Sequence, residues 1–222
     1  MNPHARSASG GADVPLTPAV RWVLLLSPSL VLAVLMIFHP SPYDDVAGEL
    51  VPIAGWWTFL HTVQFFLFAF VGASVWMLVD GLGGVAALVA RVAAVVFVLF
   101  YDIGDAVAGI ATGILAGKAA SGAIPEGAAV TAIRAIFTDF TKDVFFGLGI
   151  FTWLVALVAS AVALWSAGAA RVPVVLLALP AFLLTFDHAF PFGALTFASF
   201  FFVSLWLEIS QSRGPGRART ST

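Results

Sequence analysis

Residues 84–117, GVAALVARVAAVVFVLFYDIGDAVAGIATGILAG, decide the fold class. The run is apolar except for Arg91, Asp102, Asp105 and Thr112. About 20 helical residues cross the ~30 Å hydrocarbon core of a bilayer, so this stretch exceeds one perpendicular span. It is expected to tilt, protrude or bend, with Gly104 as the site of the bend. Gly109, Gly113 and Gly117 form two overlapping G-x-x-x-G steps, which let a neighbouring helix backbone come close.

The rest of the chain repeats this apolar pattern. Of 222 residues, 61% are hydrophobic and 10% charged, against roughly 25% charged in soluble domains. The net charge is −2 and the basic residues are scattered, which gives no footprint for nucleic acid. The chain has no cysteine, so disulfides, thiolate metal sites, iron–sulfur clusters and cysteine nucleophiles are excluded. The excess of Arg over Lys, with abundant Ala, Val, Gly and Pro, points to a bacterial, GC-rich source.

The expected fold is an all-α integral membrane protein, a six-transmembrane-helix bundle over residues 19–210. Its spans are about 20–38, 53–79, 84–117, 144–166, 173–187 and 192–209. Pro28 is expected to kink the first span, and Pro52 to open the second just before the interfacial pair Trp56-Trp57. His188-Ala-Phe-Pro191 reads as a tight turn, with Pro191 starting the sixth helix. Residues 1–18 are polar and Pro/Gly-rich, a disordered tail in which His4 is solvated; residues 211–222 form a basic tail. A signal peptide fits badly, because the first apolar stretch ends in Phe38-His39-Pro40 without a cleavage pattern. Between the third and fourth spans, Val130, Ile133, Phe137 and Phe140 repeat at helical spacing, the stripe of a short amphipathic helix on the outer side.

Lys and Arg set the expected orientation. With both termini cytoplasmic, Arg6, Arg21, Arg91, Arg171, Arg213, Arg217 and Arg219 fall inside, and Lys118, Arg134 and Lys142 outside. That distribution obeys the positive-inside rule and implies a bacterial cytoplasmic (inner) membrane. Arg91 is expected to snorkel to the inner interface, and Glu208 to do the same beside Arg213. Asp80 reads as a turn residue, and Asp139 and Asp143 as solvated.

Six ionisable residues interrupt the apolar spans or their ends: His39, His61, Asp102, Asp105, Asp187 and His188. Each costs roughly 2.5–3.5 kcal/mol at mid-membrane on insertion scales, so a partner or a task is expected. At 1.5 Å rise per residue, counting from Trp22, Arg91 and Pro173 places His39, Asp102, Asp105, Asp187 and His188 roughly 17–26 Å above the inner edge. His61, counted down from Trp57, reaches roughly 24 Å. Four helices thus bring His or Asp to one layer in the outer half. Gln64 shares the His61 face, and Asp102, Asp105, Gly109 and Thr112 share a stripe on the third helix. Two carboxylates on one such face repel unless one is protonated or a cation lies between them. His39, beside Pro40, also fits a headgroup-facing position.

Three His and three Asp suit several chemistries. The leading one is a divalent metal, zinc above all, held by His39, His61 and His188 with Asp187 completing or orienting the shell. Asp102 or Asp105 then acts as the base of a hydrolysis, with Gln64 helping to bind. The substrate expected is a lipid or small molecule from the outer leaflet. This constellation resembles, in site chemistry, the alkaline ceramidase and adiponectin-receptor group of intramembrane zinc hydrolases. Those proteins carry seven spans, a Ser ahead of the first ligand and a late H-x-x-x-H pair. Here stand six expected spans, Trp57 or Thr58, and a lone His188. The phrases YDIGDAVAGIATG (101–113) and DHAFPFG (187–193) resemble those of actinobacterial multispan proteins.

The alternative is a proton- or cation-coupled carrier built on the same Asp/His chain, although the halves show no internal repeat. A b-type haem or quinone protein with axial His ligands, and a non-catalytic accessory membrane protein, complete the field. Phe-rich runs such as Phe200–Phe202 suit lipid-facing packing or an apolar ligand groove. No H-E-x-x-H, G-x-S-x-G, Walker or dinucleotide motif is present.

Overall fold

The computed structural model describes residues 17–40 and 45–212, and these are helical throughout, with no strand among them. Their order is α1 (Pro18–Ile37), α2 (Val46–Leu78), α3 (Gly84–Asp105), a π-helical turn (Ala106–Ala111), α4 (Thr112–Ala120), α5 (Glu126–Thr138), α6 (Phe140–Ser166), α7 (Arg171–Leu176), α8 (Ala178–Leu183) and α9 (Phe192–Ser212). The readings made for His4, most of both tails, Arg213, Arg217 and Arg219 lie outside the described residues.

Five helices are long and apolar enough to cross a membrane: Pro18–Ile37, Gly48–Leu78, Gly84–Ala120, Phe140–Ser166 and Phe192–Ser210. The chain is therefore a membrane-type helical protein. The expected fifth span is instead a shorter apolar stretch, Arg171–Leu183, broken at Leu177 into α7 and α8. Pro180 is the physical reason, since it has no N–H for the carbonyl of Leu176. The second helix starts at Val46, so Pro52 lies inside it rather than opening it. The third runs unbroken from Gly84 to Ala120, and its irregularity is the π turn after Asp105 rather than a bend at Gly104.

α1 continues through Pro28, and the cost of that proline is met from the neighbouring helix. Pro28 cannot donate to the Leu24 carbonyl. The Ser74 hydroxyl on α2 reaches that carbonyl at 3.1 Å, sharing its one proton with the Phe70 carbonyl at 2.9 Å. The α3–α6 interface is close because it is built from small residues: Ala87 and Ala90 pack with Ala159 and Ala163. A larger core joins α1, α2, α3, α6 and α9, with Phe68, Phe97, Tyr101, Trp153, Phe197 and Phe200 all fully buried.

The two ends of the bundle differ. At one end Arg21 on α1 pairs with Glu208 on α9 at 2.9 Å and donates to the Met77 carbonyl closing α2. Glu208 is thus held by Arg21, 187 residues away in sequence. Arg91 lies at this end too, donating to the carbonyls of Val79 and Leu82 and so capping the α2–α3 turn. At the opposite end, α5 closes over α2 and α4, with Ile133 fully buried against Leu50, Ala54, Trp57 and Ala116. Val130 and Phe137 flank that contact as the stripe predicts. Phe140 does not join it: Asp139 leaves the helical region (φ −75°, ψ 129°), α5 ends, and Phe140 starts α6 with 77% of its surface exposed.

Candidate metal centre

Three histidines meet at the α5 end of the bundle. His39 follows the last turn of α1, His61 lies midway along α2, and His188 lies in the turn between α8 and α9. One ring nitrogen from each falls within 4.8 Å of the others. The His39 ring is central, with centroids 5.2 Å from His61 and 5.0 Å from His188, both edge-on. Only 7% of His39 is exposed, so it is a buried member of the group rather than a headgroup-facing residue.

The backbone sets which nitrogen each ring offers. His39 Nδ1 is 2.7 Å from the Pro40 carbonyl, and His61 Nδ1 is 2.8 Å from the Trp57 carbonyl. A carbonyl only accepts, so each Nδ1 carries the proton and each Nε2 is left with its lone pair. His188 Nδ1 lies 3.5 Å from Asp187 Oδ1, which gives the same bias through a carboxylate. Metal-binding histidines are oriented in this way, the second nitrogen donating to a carbonyl or carboxylate. Asp187 is itself fixed by the Ala189 N–H at 3.0 Å, so it orients His188 from the rim.

Asp105 ends α3 with Oδ1 3.9 Å from His61 Nε2. Asp102, one turn earlier, is also buried and acts on Asp105 through its charge. Unpartnered buried polar atoms gather here: His39 Nε2, Asp102 Oδ1, both Asp105 oxygens, Gln64 Oε1 and the Tyr101 hydroxyl. Gln64 lies one turn along α2 from His61 and turns its amide N–H to the Met36 sulfur at 3.4 Å, outside the histidine group.

Tight packing holds the rings. A Cβ on Gly109 would overlap the His61 ring, and one on Gly113 would overlap the Thr58 hydroxyl. The expected close approach at the glycine stripe is therefore the contact of α2 with the π turn and α4. Trp57 stacks near His61 (centroids 4.3 Å) and donates its indole N–H to Thr112 Oγ1 at 3.2 Å. Thr112 donates in turn to the Ala108 carbonyl within the π turn. Phe146 of α6 stacks on His188 at 5.9 Å and 14°. Trp57, Tyr101 and Phe146 were not separable from the other aromatics by sequence. The one signal available was the proximity of Trp57 and Tyr101 to His61 and Asp102.

Fold and centre define a membrane-type helical bundle with a three-histidine group, His39 and His61 buried and His188 half-buried, able to take a metal ion. No protein-family model, no curated protein and no solved structure matches the chain.

Proposed function

We propose that this protein crosses a bacterial inner membrane six times and holds a divalent cation, zinc, on His39, His61 and His188 for a hydrolytic reaction in the outer half. The observation that carries the reading is the common orientation of the three rings: each Nδ1 faces an oxygen, and each Nε2 is free for a metal. On tetrahedral zinc, ligand nitrogens lie about 3.4 Å apart. One ring nitrogen from each of the three lies within 4.8 Å of the other two. Charge balance agrees. Among the described residues no Lys or Arg pairs with Asp102 or Asp105. A dication on three neutral imidazoles cancels the two buried carboxylates.

A zinc ion at such a centre polarises a carbonyl and makes water acidic near neutral pH. Asp105, beside His61, takes the proton from the attacking water. The water oxygen bonds to the acyl carbon, the bond to the leaving group breaks, and Asp105 returns the proton to that group. Six crossings follow if Arg171–His188 returns the chain from the Arg21 end to the histidine end; the Arg21–Glu208 pair supports that path.

The carrier reading uses the same Asp pair but needs a polar route to the other end. Phe68, Phe97, Trp153, Phe197 and Phe200 fill the bundle core on that route. Axial haem ligands lie on opposite faces of a macrocycle, whereas these rings touch edge to edge. Elemental analysis with a visible spectrum on detergent-purified protein tests the reading. About one zinc per chain and no Soret band is the expected result. A Soret band would put haem in its place, and neither signal, with pH-driven flux lost in Asp105→Asn, would put a carrier there.

A further inference from the structure

Thr112 starts α4 directly after the π turn, and it is fully buried. An indole N–H can only donate, so Trp57 Nε1–H, at 3.2 Å, takes a lone pair of Thr112 Oγ1. The one hydroxyl proton is left for the π turn, where it goes to the Ala108 carbonyl, with the Gly109 carbonyl 3.2 Å away. A threonine bonded to the carbonyl four residues back is ordinary in a helix, and Thr58, Thr62 and Thr152 do the same. Among the described residues, Thr112 alone combines that bond with an N–H accepted from another helix. Its oxygen therefore ties a side chain of α2 to the backbone of the π turn.

Both ends of the tie bear on His61. Trp57 meets the imidazole twice: its carbonyl lies 2.8 Å from Nδ1, and its indole lies 4.3 Å from the imidazole between centroids, tilted by 41°. The same indole is 5.5 Å from the His39 ring. On the other side, Gly109 belongs to the π turn, and a Cβ there would overlap the His61 ring. The contacts close on themselves, from His61 to Trp57, on to Thr112 and the π turn, and through Gly109 back to His61.

We propose that Thr112 is a positioning residue of the metal centre: by joining the Trp57 indole to the π turn, its hydroxyl fixes the seat in which the His61 ring presents Nε2 to the metal. The proposal rests on the zinc reading above. Its content is the hydroxyl and not the volume of the side chain. Valine has nearly the shape of threonine and fills the same space, but it neither accepts the indole proton nor donates to Ala108.

The test is zinc affinity of the full chain in detergent, by competition with a metal-binding dye, with circular dichroism on the same samples. Thr112→Val is expected to weaken zinc binding about 10–100-fold, the range for groups that orient metal ligands, and Thr112→Ser to restore it. Trp57→Phe keeps a ring beside His61 but breaks the same bond from its other end, so it too should weaken binding. Because the two substitutions remove one shared link, the double variant should bind no more weakly than the weaker single variant. Wild-type affinity in Thr112→Val, no recovery in Thr112→Ser, or additive losses in the double variant would each overturn the proposal. So would loss of helix content in both Thr112→Val and Trp57→Phe, which would make the hydroxyl a general stability element. Zinc bound by the wild type and untouched by these substitutions sinks this proposal alone; a wild type that binds no zinc sinks the metal reading and this proposal together.

Discussion

His61 is held from two directions: its Nδ1 by the Trp57 carbonyl and its ring edge by the bare α-carbon of Gly109. A methyl at Gly109 has nowhere to go but into the imidazole. Gly109→Ala is therefore expected to weaken zinc affinity about 10–100-fold, the range seen when groups that orient metal ligands are disturbed. Competition with a metal-binding dye checks this, with circular dichroism to show that helix content is kept. Asp105→Asn removes one of two buried carboxyl groups. The metal-free variant should melt at a higher temperature than the metal-free wild type, and zinc should raise its melting temperature by less. Equal zinc-induced shifts in the two proteins would contradict that charge account. His61, Asp102 and Asp105 were legible in sequence because an ionisable residue in an apolar helix stands out. Trp57, Tyr101 and Phe146 were not, because they are three of 30 aromatics (21 Phe, 7 Trp, 2 Tyr) and only folding brings them to the histidines.

Among elements, α1 continues through an internal proline, and the Ser74 hydroxyl of α2, shared with Phe70, reaches the stranded carbonyl of Leu24. Ser74→Ala should cost about 0.5–1.5 kcal/mol, the range for one such interhelical bond. Thermal unfolding in detergent measures it, and no loss of stability would mean that α1 relaxes around Pro28 unaided. The turn bearing His188 depends on Gly193, whose Cβ position is taken by the His188 carbonyl group. Gly193→Ala should displace His188 and reduce zinc stoichiometry while the five long helices persist. Retention of full zinc would show that the turn is slack. Periodicity and length gave the long helices, the glycine contact and most of the α5 stripe, since apolar runs and small-residue spacing are local signals. Three features depended on non-local balances. The start of α2 at Val46 runs through a proline that reads as a helix opener. The exclusion of Phe140 turns on one ψ angle at Asp139. The π turn at Ala106–Ala111 has no sequence signature and is stabilised by the Trp57–Thr112–Ala108 chain of hydrogen bonds.

At the scale of the molecule, an ion pair closes one end and a histidine cluster the other. Arg21 and Glu208 bring the beginning of α1 and the end of α9 together. If α7 and α8 return the chain across the membrane, Gly168 and Phe190 lie on opposite sides. The chain has no cysteine, so Gly168→Cys and Phe190→Cys each offer one thiol to an impermeant maleimide on intact spheroplasts. Labelling at 190 and protection at 168 is expected; the same result at both positions would refute six crossings. That Arg21 and Arg91 share one end of the bundle was legible because it needs only charge counting. The break of the expected fifth span at Leu177, which leaves an apolar stretch of 13 residues from Arg171 to Leu183, was not. The account rests most on the three histidines acting together, and His39 is the member with least sequence claim to the role. The decisive measurement is zinc per chain in purified wild type and in His39→Ala, alongside circular dichroism. The account predicts about one zinc in the wild type and near none in a still-helical variant. A metal-free wild type, or a variant that keeps its full zinc, would contradict it.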